Sequence, residues 1–82
     1  MSYQERQISR DRLEKHLRVL DSDEGIRIDN KTEYIFVNKT SHRYIVNISK
    51  DGRDQFSYQN NLDEAMRFLN KKIDISSKIF AY

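Results

Sequence analysis

The chain has 82 residues, of which 37% are hydrophobic and 34% are charged, and it contains neither cysteine nor proline. Disulfides and thiolate metal sites are therefore excluded, and no apolar run approaches the roughly 18 residues that a membrane span needs. Fifteen basic and thirteen acidic residues leave a net charge of +2, an excess too small to indicate nucleic-acid binding by itself. We expect one domain over residues 1–82, in the cytoplasm, because the polar first residues lack the apolar stretch of a signal peptide.

The first predicted element is a helix over residues 9–20. Its apolar stripe at helical spacing consists of Leu13, His16, Leu17 and Leu20. Both Ser2 and Ser9 are suitable N-caps, so the sequence leaves the start of the helix open. The acidic segment 21–25, which ends in a glycine, stops the helix.

Four strands are predicted next, from alternation of apolar and polar residues and from β-branched and aromatic content. They cover residues 26–28, 33–38, 43–49 and 54–58. The C-terminal tail, 75–82, is either a short strand over 78–82 or a loose apolar end that packs on the core.

The loop of the last hairpin decides which way its side chains face. A two-residue turn at 51–52 pairs apolar Val46 with polar Ser57, whereas a three-residue loop at 50–52 pairs Val46 with Phe56. The second register places the apolar side chains on one face and the polar side chains on the other. We therefore predict the three-residue loop, with its glycine in the left-handed conformation. The aromatic face is then buried, and the polar face comprises Arg43, Asn47, Ser49, Arg53, Gln55 and Ser57.

The last helix is the clearest element. Asn61 is the predicted N-cap, with Glu64 at the third helical position completing the capping pattern. Its apolar stripe is formed by Leu62, Ala65, Met66, Leu69 and Ile73. The sequence therefore predicts an α+β fold with an N-terminal helix, a three- to four-stranded antiparallel sheet and a C-terminal helix packed on one sheet face.

The open polar sheet face is the candidate functional surface, because Arg, Asn and Gln side chains on strands can bond to base edges in a major groove. The predicted nucleic-acid-binding residues are Lys39, Arg43, Ile45, Asn47, Lys50, Arg53, Gln55 and Ser57. We expect a non-catalytic accessory protein that contacts double-stranded DNA without cofactor or metal. Aromatic stacking on unpaired bases is the less favoured mode, since the register buries most of the rings. The alternative function is a protein-interaction or inhibitor module that uses the sheet face or an edge strand, and a homodimer stays open.

A pattern within residues 34–73 is shared with a known class of DNA-binding modules. It consists of the strand 43–48, the Lys50-Asp51-Gly52 turn, the strand containing Phe56, and Leu62-Asp63-Glu64-Ala65 at the start of the helix. These features resemble the three-stranded-sheet-plus-helix modules of the plant ethylene-response (Apetala) type and of tyrosine-integrase N-terminal arms. The resemblance implies that the major groove would be met by Arg43, Ile45, Asn47, Arg53, Gln55 and Ser57.

Two further resemblances concern RNA. The order of helix, strands and helix is similar to that of double-stranded RNA-binding domains, but Asp63 and Glu64 stand where that family places phosphate-binding lysines. The segment Thr40-Ser41-His42 partly matches the Gly-Ser-His motif of HicA-type RNA-cleaving toxins, which implies His42 as a general base. A lone histidine without a partner is more often a surface residue, so we predict no catalysis.

Overall fold

The computed structural model describes residues 5–82. In chain order its elements are β1 (Arg6–Ile8), a 3₁₀ turn (Arg10–Arg12), α1 (Leu13–Arg18), β2 (Gly25–Asp29), β3 (Tyr34–Lys39), β4 (Tyr44–Lys50), β5 (Arg53–Gln59), α2 (Leu62–Lys72) and β6 (Lys78–Ala81). The predicted helix over 9–20 is thus a 3₁₀ turn followed by a short α-helix. Ser9 precedes the 3₁₀ turn without a side-chain capping bond, and Ser2 lies outside the described residues.

The strands form one antiparallel sheet in the order β1-β6-β2-β3-β4-β5. The predicted α+β class is confirmed, but the predicted count of three to four strands is wrong, since the sheet has six strands within residues 5–82. Of the two alternatives for the tail, the short strand is correct: it is β6, which lies between β1 and β2. The strand that the sequence did not indicate is β1, whose three residues are too few for a visible alternation.

Both helices pack on the same face of the sheet, which we call the helix face. Its core comprises Leu13, Leu17, Leu20, Ile26, Ile28, Ile35, Val37, Tyr44, Val46, Ile48, Ala65, Leu69, Ile73, Ile79 and Ala81. The buried Tyr44 hydroxyl donates a hydrogen bond of 2.7 Å to the Leu17 carbonyl, which fixes the end of α1 to β4. His16 is half-buried beside this stripe.

The N-terminus of α2 is capped as the sequence predicts. The Asn61 side-chain oxygen accepts a hydrogen bond from the Glu64 backbone N–H at 2.9 Å. The Glu64 carboxylate in turn accepts from the Asn61 side-chain amide at 3.3 Å, so the Asn61 side chain bonds to both the backbone and the side chain of Glu64. Because this cap fixes where α2 begins, it also fixes which α2 residues face the sheet.

The hairpin between β4 and β5 closes with a two-residue turn, so the predicted three-residue loop is wrong. Asp51 and Gly52 have φ angles of 53° and 76°, the pair of positive values that defines a type I′ turn. Val46 consequently pairs with Ser57, and Asn47 pairs with Phe56. The prediction assumed that the hairpin's aromatic side chains belong to the core, but β5 is an edge strand. Polar side chains therefore occupy its helix face and the aromatic ones point to the opposite face.

Candidate nucleic-acid interface

The sheet face opposite the helices, which we call the open face, is rich in aromatic side chains. Within residues 5–82, three of them are more than half exposed: Tyr34 at 52%, Phe56 at 60% and Tyr58 at 56%. Phe36 and Phe80 lie on the same face and are half-buried. A soluble domain seldom exposes such a group of rings without a binding role.

The rings are ordered by the strand register. Across five neighbouring strands, one row of open-face residues reads Phe80, Arg27, Phe36, Asn47 and Phe56. With strands about 4.8 Å apart, Phe36 and Phe56 are separated by roughly 10 Å across the sheet. In the three strands of the row that hold a phenylalanine, a tyrosine lies two residues away, at roughly 7 Å: Tyr34 from Phe36, Tyr58 from Phe56, and Tyr82, just after β6, from Phe80. The row positions of β2 and β4 hold no ring, so the rings lie on alternate strands of the open face.

Asn47 lies between the register partners Phe36 and Phe56, at the centre of this surface. Its side-chain oxygen is buried and accepts no hydrogen bond from any group within residues 5–82. A buried acceptor without a donor costs about 1–3 kcal/mol, so such groups in native proteins usually serve a purpose. The structure thus has an unused acceptor between two aromatic side chains.

Arg27 occupies the other polar position of the row. Its guanidinium forms ion pairs with Glu5 at 2.8 Å and Asp29 at 2.9 Å, and it lies 4.5 Å from the centre of the Phe80 ring. These contacts hold the arginine flat against the sheet and neutralise its charge. Arg27 therefore orders the surface more than it adds positive potential.

The open face has no excess of basic side chains. Within residues 5–82, its basic side chains are Arg27, Arg43 and Lys78, its acidic ones are Glu5, Asp29 and Asp54, and Asp23 lies at its margin. Arg43 lies at one end with its guanidinium 5.5 Å from the centre of the Tyr58 ring, a stacking arrangement for arginine on an aromatic face. Ligand binding here would accordingly depend on rings and hydrogen bonds more than on long-range attraction.

A depression of about 460 Å³ opens beside the row, lined by Glu5, Asp23, Arg27, Phe36 and Tyr82. The Tyr82 ring lies directly over Gly25, where an added Cβ would come within 2.4 Å of the ring. Backbone hydrogen bonds of 3.0 Å in both directions between these two residues hold the C-terminus in place. A Cβ at position 25 would displace the Tyr82 ring, so the glycine lets this tyrosine form one wall of the depression.

The predicted nucleic-acid-binding residues lie on two different faces of the sheet. Arg43, Ile45 and Asn47 are on the open face with the rings. On the helix face are Lys39, Lys50, Arg53, Gln55 and Ser57. Three of these helix-face residues line a larger cavity of about 850 Å³, whose lining is Glu33, Ile48, Lys50, Asp51, Arg53, Asp54, Gln55 and Lys72. No ring lines this cavity, whereas the open face presents several exposed rings, so we place the candidate site on the open face.

Sequence reasoning considered base stacking on Tyr34, Tyr44, Phe56 and Tyr58 but assigned most of these rings to the core, so it left them out of the candidate site. The signal that would have revealed Phe56 and Tyr58 is the Asp51-Gly52 dipeptide, which favours a two-residue type I′ turn over a bulged loop. That turn assigns both rings to the open face at once. Phe80 was not identifiable in this way, because its position depends on the tail inserting between two strands distant from it in sequence.

The segment Thr40-Ser41-His42 forms the turn between β3 and β4. The Thr40 hydroxyl oxygen accepts hydrogen bonds from the backbone N–H groups of Arg43 at 3.1 Å and His42 at 3.4 Å. The His42 imidazole is exposed and makes no hydrogen bond within residues 5–82. In the same part of the chain, no three His, Asp or Glu side chains are grouped so that they could hold a metal ion.

Comparison with protein-family models, with curated proteins and with solved structures finds no match to this chain. None of the helices between residues 5 and 82 has the length and the apolar character that crossing a membrane requires. The open face must therefore be interpreted from its own geometry.

Proposed function

We propose that the protein binds single-stranded nucleic acid, without catalysis, by stacking unpaired bases on the rings of the open face. The exposure of Tyr34, Phe56 and Tyr58 on one sheet surface is the observation that supports this most strongly. Every base has a π-face, and stacking on an aromatic side chain contributes about 1–3 kcal/mol per base. Antiparallel sheets that display aromatic side chains in this way are an established means of binding RNA.

Asn47 adds a hydrogen-bonding group to this stacking surface. Its unused side-chain oxygen lies between the Phe36 and Phe56 positions, where a stacked base would present its edge. A base amino or imino group is a donor, and it would satisfy this buried acceptor only after the Asn47 side chain turns outward on binding. This would make one base position selective for an N–H donor, while the other positions accept any base.

The same geometry favours single strands over a duplex. The five basic and polar residues on the helix face are not available to a duplex lying on the open face. Rings stack on bases only where those bases are unpaired, and a duplex hides the flat faces of its bases. The hypothesis of nucleic-acid binding through the sheet is thus retained, with a changed ligand and a changed set of contacts.

A protein partner is the second candidate function, and the lack of a basic excess on the open face favours it. Nucleic-acid sites usually have a basic excess, whereas the cores of protein interfaces are poor in charge and rich in aromatic residues. Arg27 is already neutralised by Glu5 and Asp29, as it would be within such an interface. Binding measurements with nucleic acid distinguish the two candidates.

Fluorescence anisotropy with labelled oligonucleotides tests the first proposal. The wild-type chain is titrated into a mixed-sequence single strand and, separately, into the same sequence as a duplex, and we expect clearly tighter binding of the single strand. Phe56→Leu removes the ring but retains an apolar side chain, and loss of one stacked base should weaken binding about 5- to 150-fold. Arg53→Ala on the helix face is the matched control, and it should change affinity little.

Salt dependence is the second readout. At most two open-face cations, Arg43 and Lys78, have no ion pair within residues 5–82, so the slope of log K against log salt should be no steeper than about −1.4. Tighter duplex binding with a steep salt slope, or a larger loss in Arg53→Ala than in Phe56→Leu, would refute the proposal. Absence of binding at low salt would favour the protein partner instead.

A further inference from the structure

The free edge of β5 is long and regular. Among residues 5–82, β5 has a neighbouring strand on one side only, and it pairs with β4 over seven consecutive residues without a bulge. Its last five residues, 55–59, are uncharged, and the chain has no proline to interrupt the edge. Such an edge exposes unpaired backbone groups that favour addition of another strand.

The opposite edge of the sheet has a different design. There, β1 has only three residues and includes the exposed Arg6. Short, charged edge strands are a common means by which proteins prevent edge-to-edge association. The β1 edge is therefore protected against strand addition, whereas β5 is long and has no charged residue after Asp54.

The hairpin determines which β5 backbone groups point outward. In a two-residue hairpin the residues flanking the turn, Lys50 and Arg53, exchange both backbone hydrogen bonds, and the pattern alternates from there. The outward N–H and C=O groups thus belong to Asp54, Phe56 and Tyr58. Their side chains are those that also lie on the open face.

We propose that β5 pairs antiparallel with β5 of a second copy of this chain, about a two-fold axis at Phe56. This alignment uses all three outward-facing residues, because Phe56 meets Phe56 and Asp54 meets Tyr58 of the second copy. No like charges are opposed. Arg43, whose guanidinium lies 5.5 Å from the Tyr58 ring centre, would approach Asp54 of the other copy, so the two copies are complementary in charge.

Other two-fold alignments are poorer. An axis at Asp54 would place two carboxylates opposite each other, which is destabilising. An axis at Gln55 or Ser57 leaves one of the outward-facing residues without a partner in the strand. The Phe56 alignment joins two six-stranded sheets into one and continues the open face across the junction.

Sedimentation equilibrium of the full chain, without nucleic acid, tests this pairing. A strand edge buries little surface, so we expect a dimer with a dissociation constant on the order of micromolar. Phe56→Lys would place two ammonium groups together on the axis and should yield a monomer at all concentrations. Tyr34→Lys is the matched control, because it adds the same charge at a similarly exposed ring two strands away from the edge, and it should leave the dimer intact.

Amide hydrogen exchange gives an independent readout. The amides of Asp54, Phe56 and Tyr58 should become protected as protein concentration rises, while those at the ends of β1 should not change. A chain that is monomeric at every concentration would overturn the proposal, as would a dimer that Tyr34→Lys dissociates and Phe56→Lys does not. Since no oligonucleotide is present, either result is separate from the test of nucleic-acid binding.

Discussion

Replacement of Asp51 by valine should destabilise the protein, because the two-residue turn requires a positive φ at this position. Asp51 has φ 53°, and an L-residue held in the left-handed region costs about 1–2 kcal/mol. Aspartate lies at the low end of that range and β-branched valine at the high end. We therefore expect Asp51→Val to lower the free energy of unfolding by about 1 kcal/mol relative to wild type.

Urea denaturation followed by circular dichroism measures this change, and for a chain of this size each kcal/mol also lowers Tm by about 4–8 °C. Asp51→Asn is the control, because asparagine tolerates the left-handed region and suits a type I′ turn, so its stability should equal or exceed that of wild type. A three-residue loop would place residue 51 in the right-handed region. Equal stability of Asp51→Val and Asp51→Asn would therefore refute the two-residue turn and, with it, the aromatic open face.

Three further substitutions test the core, the helix cap and the candidate site. Tyr44→Phe removes the hydrogen bond to the Leu17 carbonyl and should cost about 1 kcal/mol at neutral pH in urea denaturation. Burial raises the pKa of the Tyr44 hydroxyl above its usual 10.0, so above pH 10.0 the hydroxyl loses its proton in the unfolded state before it does so in the folded state. The free energy of unfolding of the wild type should therefore fall as pH rises above 10.0, and Tyr44→Phe should lack this part of the pH dependence. Asn61→Ala removes the α2 cap and should cost about 1 kcal/mol in the same assay. Asn47→Val removes a buried acceptor that has no donor, so stability should be unchanged or higher while affinity for single strands falls; a loss of stability would contradict the placement of that oxygen.

The parts of the fold that the sequence predicts well are governed by local rules. The α2 helix depends on the Asn61 cap and on an apolar stripe at helical spacing, and both act within a few residues of one another. The central strands β3 and β4 are buried on one face, so their alternation is visible in the sequence. These elements can therefore be predicted without knowing how the rest of the chain folds.

The parts of the fold that the sequence predicts poorly depend on where an element lies in the sheet. The pattern argument treated β5 as a strand with one buried face, but it is an edge strand whose helix face tolerates Gln55 and Ser57. The turn chemistry of Asp51-Gly52 and the hydrophobic pattern disagreed, and the turn chemistry was correct. The insertion of β6 between β1 and β2 is a long-range pairing, for which the sequence has no local signal.

The central claim is that single-stranded nucleic acid lies on the open face. Chemical-shift mapping of the ¹⁵N-labelled chain, titrated with a mixed-sequence single-stranded oligonucleotide, tests it most directly. We predict that the largest shifts fall on Tyr34, Phe36, Asn47, Phe56 and Tyr58, whereas the helix-face residues Lys50 and Arg53 change little. Shifts concentrated on Lys50 and Arg53, or no shifts at all at low salt, would contradict the account.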